Sequence, residues 1–370
     1  MSKPELVLLC TGLGRVNRGF EQHIATLAQI ISRNTEYNNR IQVWCGTRWI
    51  MEDVKVRRIR NFPRNSWPSN LSATPFIREQ QSFFLGMLPY LFDKKSRVFY
   101  LGEYRLYCYL SKLRKLFKLK YSLALFTGGF AIPGKKVFDE NLDFIHHVTD
   151  KYLEECQIYP KEAQKLLPHF VSFDFSLDYA LINRIKQLAN GKKIILSVGS
   201  LDNSYKRLDL LINALSSSPE NYFPLLIGPS SHETPVLLNQ LKSKFGNGNF
   251  YIGEVDHVEM GTFYEVADVF ISCTKSESFG LAMVEALSFG LPVICSDSPV
   301  SRFVLKENAM LIDINTPNDI LNALDNLPGW IAKQNLDELV EFARSYSIEN
   351  LSPAYFDMFR TIEERQTIRV

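Results

Sequence analysis

Two glutamates, Glu277 and Glu285, stand with seven residues between them in SESFGLAMVEALSFGLPVICSD (276–297), directly after an apolar run, DVFISCT (268–274), that reads as a buried strand. A carboxylate can accept hydrogen bonds from both members of a vicinal diol, so a glutamate pair suits a polyhydroxylated ligand. Phe279 and Gly280 fall where a helix begins, and there free backbone N–H groups and the helix dipole favour an anion such as a diphosphate. Glu285 lies one to two turns further on. Its neighbours Ala282, Met283, Val284, Ala286, Leu287 and Phe289 make that helix apolar nearly all round, so the carboxylate has to be buried and has to have partners. A second segment, LSVGSLDNSYKRLDLLINAL (196–215), has the same strand, loop and helix order, with Gly199 ending the strand and Lys206 and Arg207 opening the helix.

The elements that position these residues follow from the periodicity. Leu6–Cys10, IQVWCG (41–46), SRVFYLG (96–102), SLALFTGG (122–129), KIILSVGS (193–200), FPLLIGP (223–229), NFYIGEV (249–255), DVFISCT and LPVICSD (291–297) are short apolar runs ended by glycine or polar residues, with helical patterns between them. Alternating strands and helices imply parallel sheets with right-handed crossovers, and 370 residues suit two such domains. The spacing predicts an N-terminal domain over 1–172 and a C-terminal domain over 173–349, joined within LLPHFVSFDFSLD (166–178). Ligands of such sheets bind at the carboxyl ends of strands, so two facing domains would hold the site in the cleft between them.

The ESFGLAMVE segment and its continuation EALSFGLPVICSD resemble the Glu-x7-Glu signature of retaining GT-B glycosyltransferases, particularly family 4. The resemblance implies the GT-B fold: two doubly wound, Rossmann-like α/β domains facing across a cleft, with a carboxy-terminal helix (350–370) crossing back to the first. It implies transfer of a sugar from a nucleotide-sugar donor to an acceptor with retained configuration. Glu277 would then accept from hydroxyls of the donor sugar and Glu285 from the ribose. Gly199, Lys206, Ser278, Phe279, Gly280 and Leu281 would line the diphosphate, and Glu277 and Lys206 are the expected catalytic pair. Where the family pattern has an arginine after the strand glycine, this chain has Ser200, and Arg207 is the nearby cation that could replace it. No Asp-x-Asp metal anchor occurs, so neither metal nor other cofactor is expected. Lys206, helix dipoles and backbone amides would stabilise the departing diphosphate.

In the first domain TGLGRVNRGFE has Gly12, Gly14 and Gly19, spaced G-x-G-x4-G rather than as the dinucleotide fingerprint. The strand IQVWCGT also ends without the acidic residue an NAD ribose requires. The loop is expected to line the cleft, with Gly14 letting backbone approach the donor phosphates and Arg18 or Glu21 touching a substrate. LALFTGGFAIPG (123–134) places Gly128 and Gly129 at the same face, and His147, following His146, is a candidate polar contact to the acceptor. Residues 1–172 carry 26 Lys and Arg against 15 Asp and Glu, a net +11, and the remainder carries 16 against 25, a net −9. A basic first half suits an anionic surface or a pyrophosphate-linked acceptor better than nucleic acid. YLSKLRKLFKLKY (109–121) has the basic, apolar make-up of a helix lying on an anionic membrane, and equally of a helix whose stripe packs on its own domain.

The six cysteines have no zinc spacing and read as reduced core residues; no run of about 18 apolar residues occurs, and the start of the chain has no signal-peptide pattern. A cytoplasmic enzyme, peripheral on the inner membrane face, is therefore expected. It would act on a glycan or lipid-linked glycan acceptor, as in O-antigen-type polysaccharide assembly. The competing readings are a nucleotide-sugar hydrolase or epimerase of the same fold, an NAD-dependent oxidoreductase, and a non-catalytic scaffold in a glycan assembly complex.

Overall fold

The computed structural model describes residues 3–15, 19–64, 66–67, 74–93, 95–129, 142–153, 156, 159–316 and 318–369. The chain divides into two compact units, Met1–Phe170 with Leu351–Val370, and Val171–Asn350. Each is built on one parallel sheet.

The first unit contains β1 (Glu5–Cys10), β2 (Ile41–Cys45), β3 (Lys55–Arg58), β4 (Arg97–Leu101), β5 (Tyr121–Phe126), β6 (Phe144–His147) and β7 (Gln164–Leu166), in spatial order β3-β2-β1-β4-β5-β6-β7. β1, β2, β4 and β5 are apolar along almost their whole length because a parallel strand is covered by helices on both faces. Val7, Leu9, Trp44, Phe99, Leu101, Leu123 and Ile145 form the core. The carboxy-terminal helix, Ile348–Arg369, belongs to this unit from Leu351 onward. Tyr355, Met358, Phe359 and Ile362 are buried, the Tyr355 hydroxyl donates to the Pro168 carbonyl, and Arg40 pairs with Glu363 at 2.6 Å.

The second unit contains β8 (Lys193–Val198), β9 (Tyr222–Ile227), β10 (Tyr251–Gly253), β11 (Val269–Ser272), β12 (Val293–Ser296) and β13 (Met310–Ile312), ordered β10-β9-β8-β11-β12-β13. Ile195, Leu211, Ile212, Leu226, Ile271 and Ile294 fill its core. In both sheets the strand order reverses beside the first strand of the unit, between β1 and β4 and between β8 and β11. Open α/β sheets bind ligands outside the carboxyl ends of the two strands at such a reversal.

Four strands escaped the sequence reading: β3, β6, β7 and β13. β3 is KVRR, a half-exposed edge strand whose residues lack any apolar run, and β7 and β13 are three residues each. β6 is FIHH, whose two histidines are fully buried against expectation for polar side chains.

Candidate functional site

β8 and β11, the strands flanking the reversal in the second unit, lead directly into the two segments that the sequence marks. After β8 the backbone turns at Gly199 (φ +146°), and a Cβ there would lie 2.6 Å from Lys206 Cε, so the lysine stem runs over bare glycine backbone. Gly228, at the end of β9 with φ +152°, comes closer still: its Cβ would meet the Gly199 carbonyl oxygen at 2.0 Å. The loop between Gly199 and the helix Leu208–Leu215 is held by Asp202, whose Oδ1 accepts from the N–H groups of Tyr205 (2.7 Å) and Lys206 (2.8 Å). Glu233 braces it from outside by accepting from the Asn203 N–H.

After β11 the Lys275 N–H donates to the Tyr205 carbonyl at 3.1 Å, tying the two loops together. Lys206 Nζ then meets Glu277 Oε1 at 2.6 Å, with each side chain about a fifth exposed. Ser278 is exposed, and Phe279 is buried with its ring edge-on to Tyr346. Gly280 takes the left-handed conformation (φ +89°) as the cap of the helix Leu281–Ser288. The first N–H groups of that helix therefore face the same end of the sheet as Lys206 and Glu277.

Glu285 is buried and partnered, as its apolar helix demands. Tyr264 donates its hydroxyl to Oε2 at 2.6 Å, and His257 Nε2 meets Oε1 at 2.9 Å. The Glu285 hydrogen bond raises the His257 pKa against the lowering effect of burial, and burial raises that of Tyr264. Neither partner was legible beforehand, since VDHVEMGTFYEVADVF has no spacing that ties it to Glu285; only the need of a buried carboxylate for donors pointed to them. Arg207 has a left-handed backbone, and its guanidinium forks onto Asp209, with Nε 3.1 Å from Oδ1. It is thereby paired within its own helical turn.

In the first unit Gly14 (φ +76°) packs against Thr47 and Trp49, and Glu21 is buried with its carboxylate above Gly12, where an added Cβ would meet Oε1 at 2.6 Å. Arg18 lies outside the described residues. Gly128 and Gly129 form a turn with Thr127 at the end of β5, and a Cβ on Gly128 would sit 2.6 Å from His169 Nε2. His147 is buried on β6, with Nε2 3.2 Å from the Gln164 side-chain oxygen, and burial lowers its pKa to about 4. His146 bonds through Nε2 to the Leu167 carbonyl and through Nδ1 to the Tyr100 hydroxyl, both at 2.7 Å. A carbonyl only accepts, so Nε2 carries the proton and Nδ1 accepts from Tyr100.

The reversal point of the first unit also holds a residue that the sequence reading passed over. Glu103, immediately beyond β4, is fully buried, and its carboxyl bonds the Thr11 N–H and hydroxyl at the end of β1. Burial pushes its pKa from 4.5 up to about 8. The folded state therefore favours the neutral acid: that contribution to stability is complete below about pH 4.5 and is lost as pH rises through about 8. Glu103→Gln is expected to remove this loss, worth roughly 2 kcal/mol or more between pH 5 and 8.5 for a fully buried group. Urea unfolding at both pH values checks it; equal pH dependence in wild type and variant would contradict the assignment.

Among the described residues no group of three or more His, Cys, Asp and Glu side chains is arranged to hold a metal ion. Five of the cysteines are buried and Cys108 is half-buried. No helix among the described residues is long and apolar enough to cross a membrane.

Two all-parallel α/β units, each with its strand order reversed beside its first strand and the second bearing a lysine–glutamate pair at that reversal, define the GT-B class of architecture. Within the second unit, residues 179–328 match the family model of glycosyl transferases group 1. The chain is similar to the O-antigen biosynthesis glycosyltransferase WclY of Escherichia coli, at 29% identity over 129 residues, covering 34% of this chain and 35% of that protein. It is also similar to the alpha-monoglucosyldiacylglycerol synthase of Acholeplasma laidlawii, at 28% identity over 239 residues, 61% of this chain and 57% of the relative. The match to WclY thus spans about a third of that relative's length. In fold the chain resembles a sucrose-phosphate synthase from Thermosynechococcus elongatus (TM-score 0.77, 16% identity, covering 97% of this chain and 99% of the other). It likewise resembles Anabaena HepE in complex with UDP-glucose (TM-score 0.68, 13% identity, covering 96% and 99%).

Proposed function

We propose that the protein is a retaining, metal-independent hexosyltransferase that moves a sugar from a nucleotide-sugar donor to an acceptor glycan. The observation that carries this reading is the Lys206–Glu277 pair at the β8/β11 reversal, just before the helix that bears the buried carboxylate of Glu285. In this assignment the diphosphate lies against Lys206, the Gly199 backbone and the N–H groups following Gly280. Glu277 accepts from the sugar hydroxyls and Glu285 from the ribose. Arg207, engaged by Asp209, leaves Lys206 as the principal cation for the leaving group.

The bond between the anomeric carbon and the β-phosphate oxygen breaks as the acceptor oxygen bonds the same face of that carbon. The acceptor proton passes to the departing diphosphate, whose developing charge Lys206 stabilises. Gly14 is assigned to the donor phosphates, and Glu21, Gly128, Gly129 and His147, with Arg18, to the acceptor side.

The acceptor is read as a lipid-linked glycan of surface polysaccharide assembly, reached at the cytoplasmic face of an anionic membrane. Supporting this, the helix Tyr104–Phe117 buries Leu106, Tyr107 and Leu110 in its own unit yet leaves Leu116 and Phe117 exposed beside Lys115 and Lys118, with Phe92 packed edge-on to Phe117. Arg114, by contrast, is tethered to Asp143 and the Tyr121 carbonyl.

A panel of UDP-, GDP-, ADP- and dTDP-sugars, with NAD alongside, tested for protection against thermal unfolding with EDTA present, checks the reading. A ligand at 100 times its Kd is expected to add about 2.7 kcal/mol. Protection by one donor in EDTA supports a metal-free donor site; protection by NAD alone would overturn the reading.

A further inference from the structure

Glu285 is bound by more than its own helix. Its two oxygens each receive one donor from a different element: Tyr264, on the helix Met260–Val266, at Oε2, and His257, on the short turn after β10, at Oε1. A carboxylate offers about four lone-pair sites, so these bonds leave one acceptor site on each oxygen, the number a vicinal diol uses. The two donors also fix the plane of the carboxylate, because each holds a different oxygen and both sit on one continuous turn and helix. Phe175 packs its ring against both His257 (5.3 Å) and Tyr264 (5.8 Å). The His257 turn is itself closed by a reciprocal Asp256–Glu259 capping box.

We propose that Tyr264 and His257 are positioning residues that hold the Glu285 carboxylate oriented for one ribose diol, and that His257 thereby couples nucleotide affinity to pH. The inference rests on the assignment of Glu285 to the ribose. Tyr264 is sealed in the core, whereas the His257 side chain is 28% exposed and exchanges protons with solvent. Glu285 is the charged group that faces it; Asp256 and Glu259 are turned to each other on its own turn, and Phe175 presents only a ring. When a nucleoside covers Glu285, water is displaced from the pair. A protonated His257 makes that pair net neutral, while a neutral one leaves a lone carboxylate to be desolvated. Donor binding therefore favours the protonated imidazole, and affinity falls as pH rises through its titration, which the Glu285 bond has moved upward.

The test uses the full chain and UDP-glucose, GDP-mannose and ADP-glucose, whose diphosphate diesters do not titrate in the working range. Kd is measured from pH 5.5 to 8.5 for wild type, His257→Gln and Tyr264→Phe, with unfolding temperatures recorded alongside. Wild type is expected to lose about fivefold to tenfold in affinity across that range. His257→Gln, which keeps a neutral donor, is expected to give a flat profile, with KM changed and kcat nearly unchanged. Tyr264→Phe is expected to weaken binding about tenfold at every pH and to narrow discrimination against the 2′-deoxy analogue. A merely structural role would move unfolding temperatures and leave the pH profile of Kd alone. If wild type binds a donor and His257→Gln retains its pH profile, the inference falls while the donor-site reading stands. If wild type binds no sugar nucleotide, both fall.

Discussion

Turnover of the Lys206→Ala variant is expected to fall by about a hundredfold or more while its unfolding temperature stays close to the wild-type value. The two halves of that expectation come from different parts of the same geometry. Lys206 and Glu277 form a pair about a fifth exposed, and ion pairs that water reaches contribute about 0–1 kcal/mol to folding. The loop bearing Lys206 is held by Asp202 and Glu233 through backbone N–H groups, not through the ammonium. Against a departing diphosphate the same ammonium acts where negative charge grows, and there a single preplaced cation or donor is worth about 3–4 kcal/mol. Glu277→Ala is expected to cost a similar factor, and the double variant less than the product of the two, since each residue orients the other. Single-turnover rates with saturating donor, alongside thermal unfolding, make the measurement. Rates within threefold of wild type would sink the assignment.

Gly228→Ala is expected to be the most destabilising single methyl group in the second unit, at roughly 3 kcal/mol or more. The obstruction is backbone against backbone: the new Cβ would lie 2.0 Å from the Gly199 carbonyl oxygen, and no rotamer change relieves it. The φ of +152° adds strain for any residue with a side chain. Relief requires moving the Gly199 turn, which carries Lys206 seven residues later, so any folded variant should also bind the donor poorly. Gly290→Ala provides the contrast, because there φ is also positive (+69°) but nothing lies within 4 Å of the added carbon. Should Gly228→Ala unfold within about 2 °C of wild type, the close approach of the two turns is not what the chain depends on.

What the sequence revealed and what it hid divide along physical lines. Strands such as β1, β5, β8 and β9 announced themselves because a parallel strand covered on both faces must be apolar throughout, and their ends because glycines follow. Glu285 announced its burial because its helix is apolar nearly all round. Its partners stayed hidden: a hydrogen bond from Tyr264 or His257 depends on how β10 and the following helix pack, and no local spacing encodes that. Glu103 was hidden for the same reason, since a glutamate after a strand reads as a solvated loop until β1 and β4 are known to be neighbours. Arg207 is a different case: its place beside Lys206 is legible in the sequence, and the pairing of its guanidinium with Asp209, two residues on, is not.

The first unit is discontinuous, with residues 171–350 intervening between Phe170 and its closing helix. During synthesis the chain emerges from its amino end, so the seven-stranded sheet is finished long before Tyr355, Met358, Phe359 and Ile362 exist to cover it. The second unit has all its residues in one run and can complete its core while the first still waits. For that interval the ring of Tyr100, which Phe359 meets edge-on at 5.5 Å in the finished protein, lacks that contact. The nascent chain thus passes through a stage in which the half made first is the half finished last.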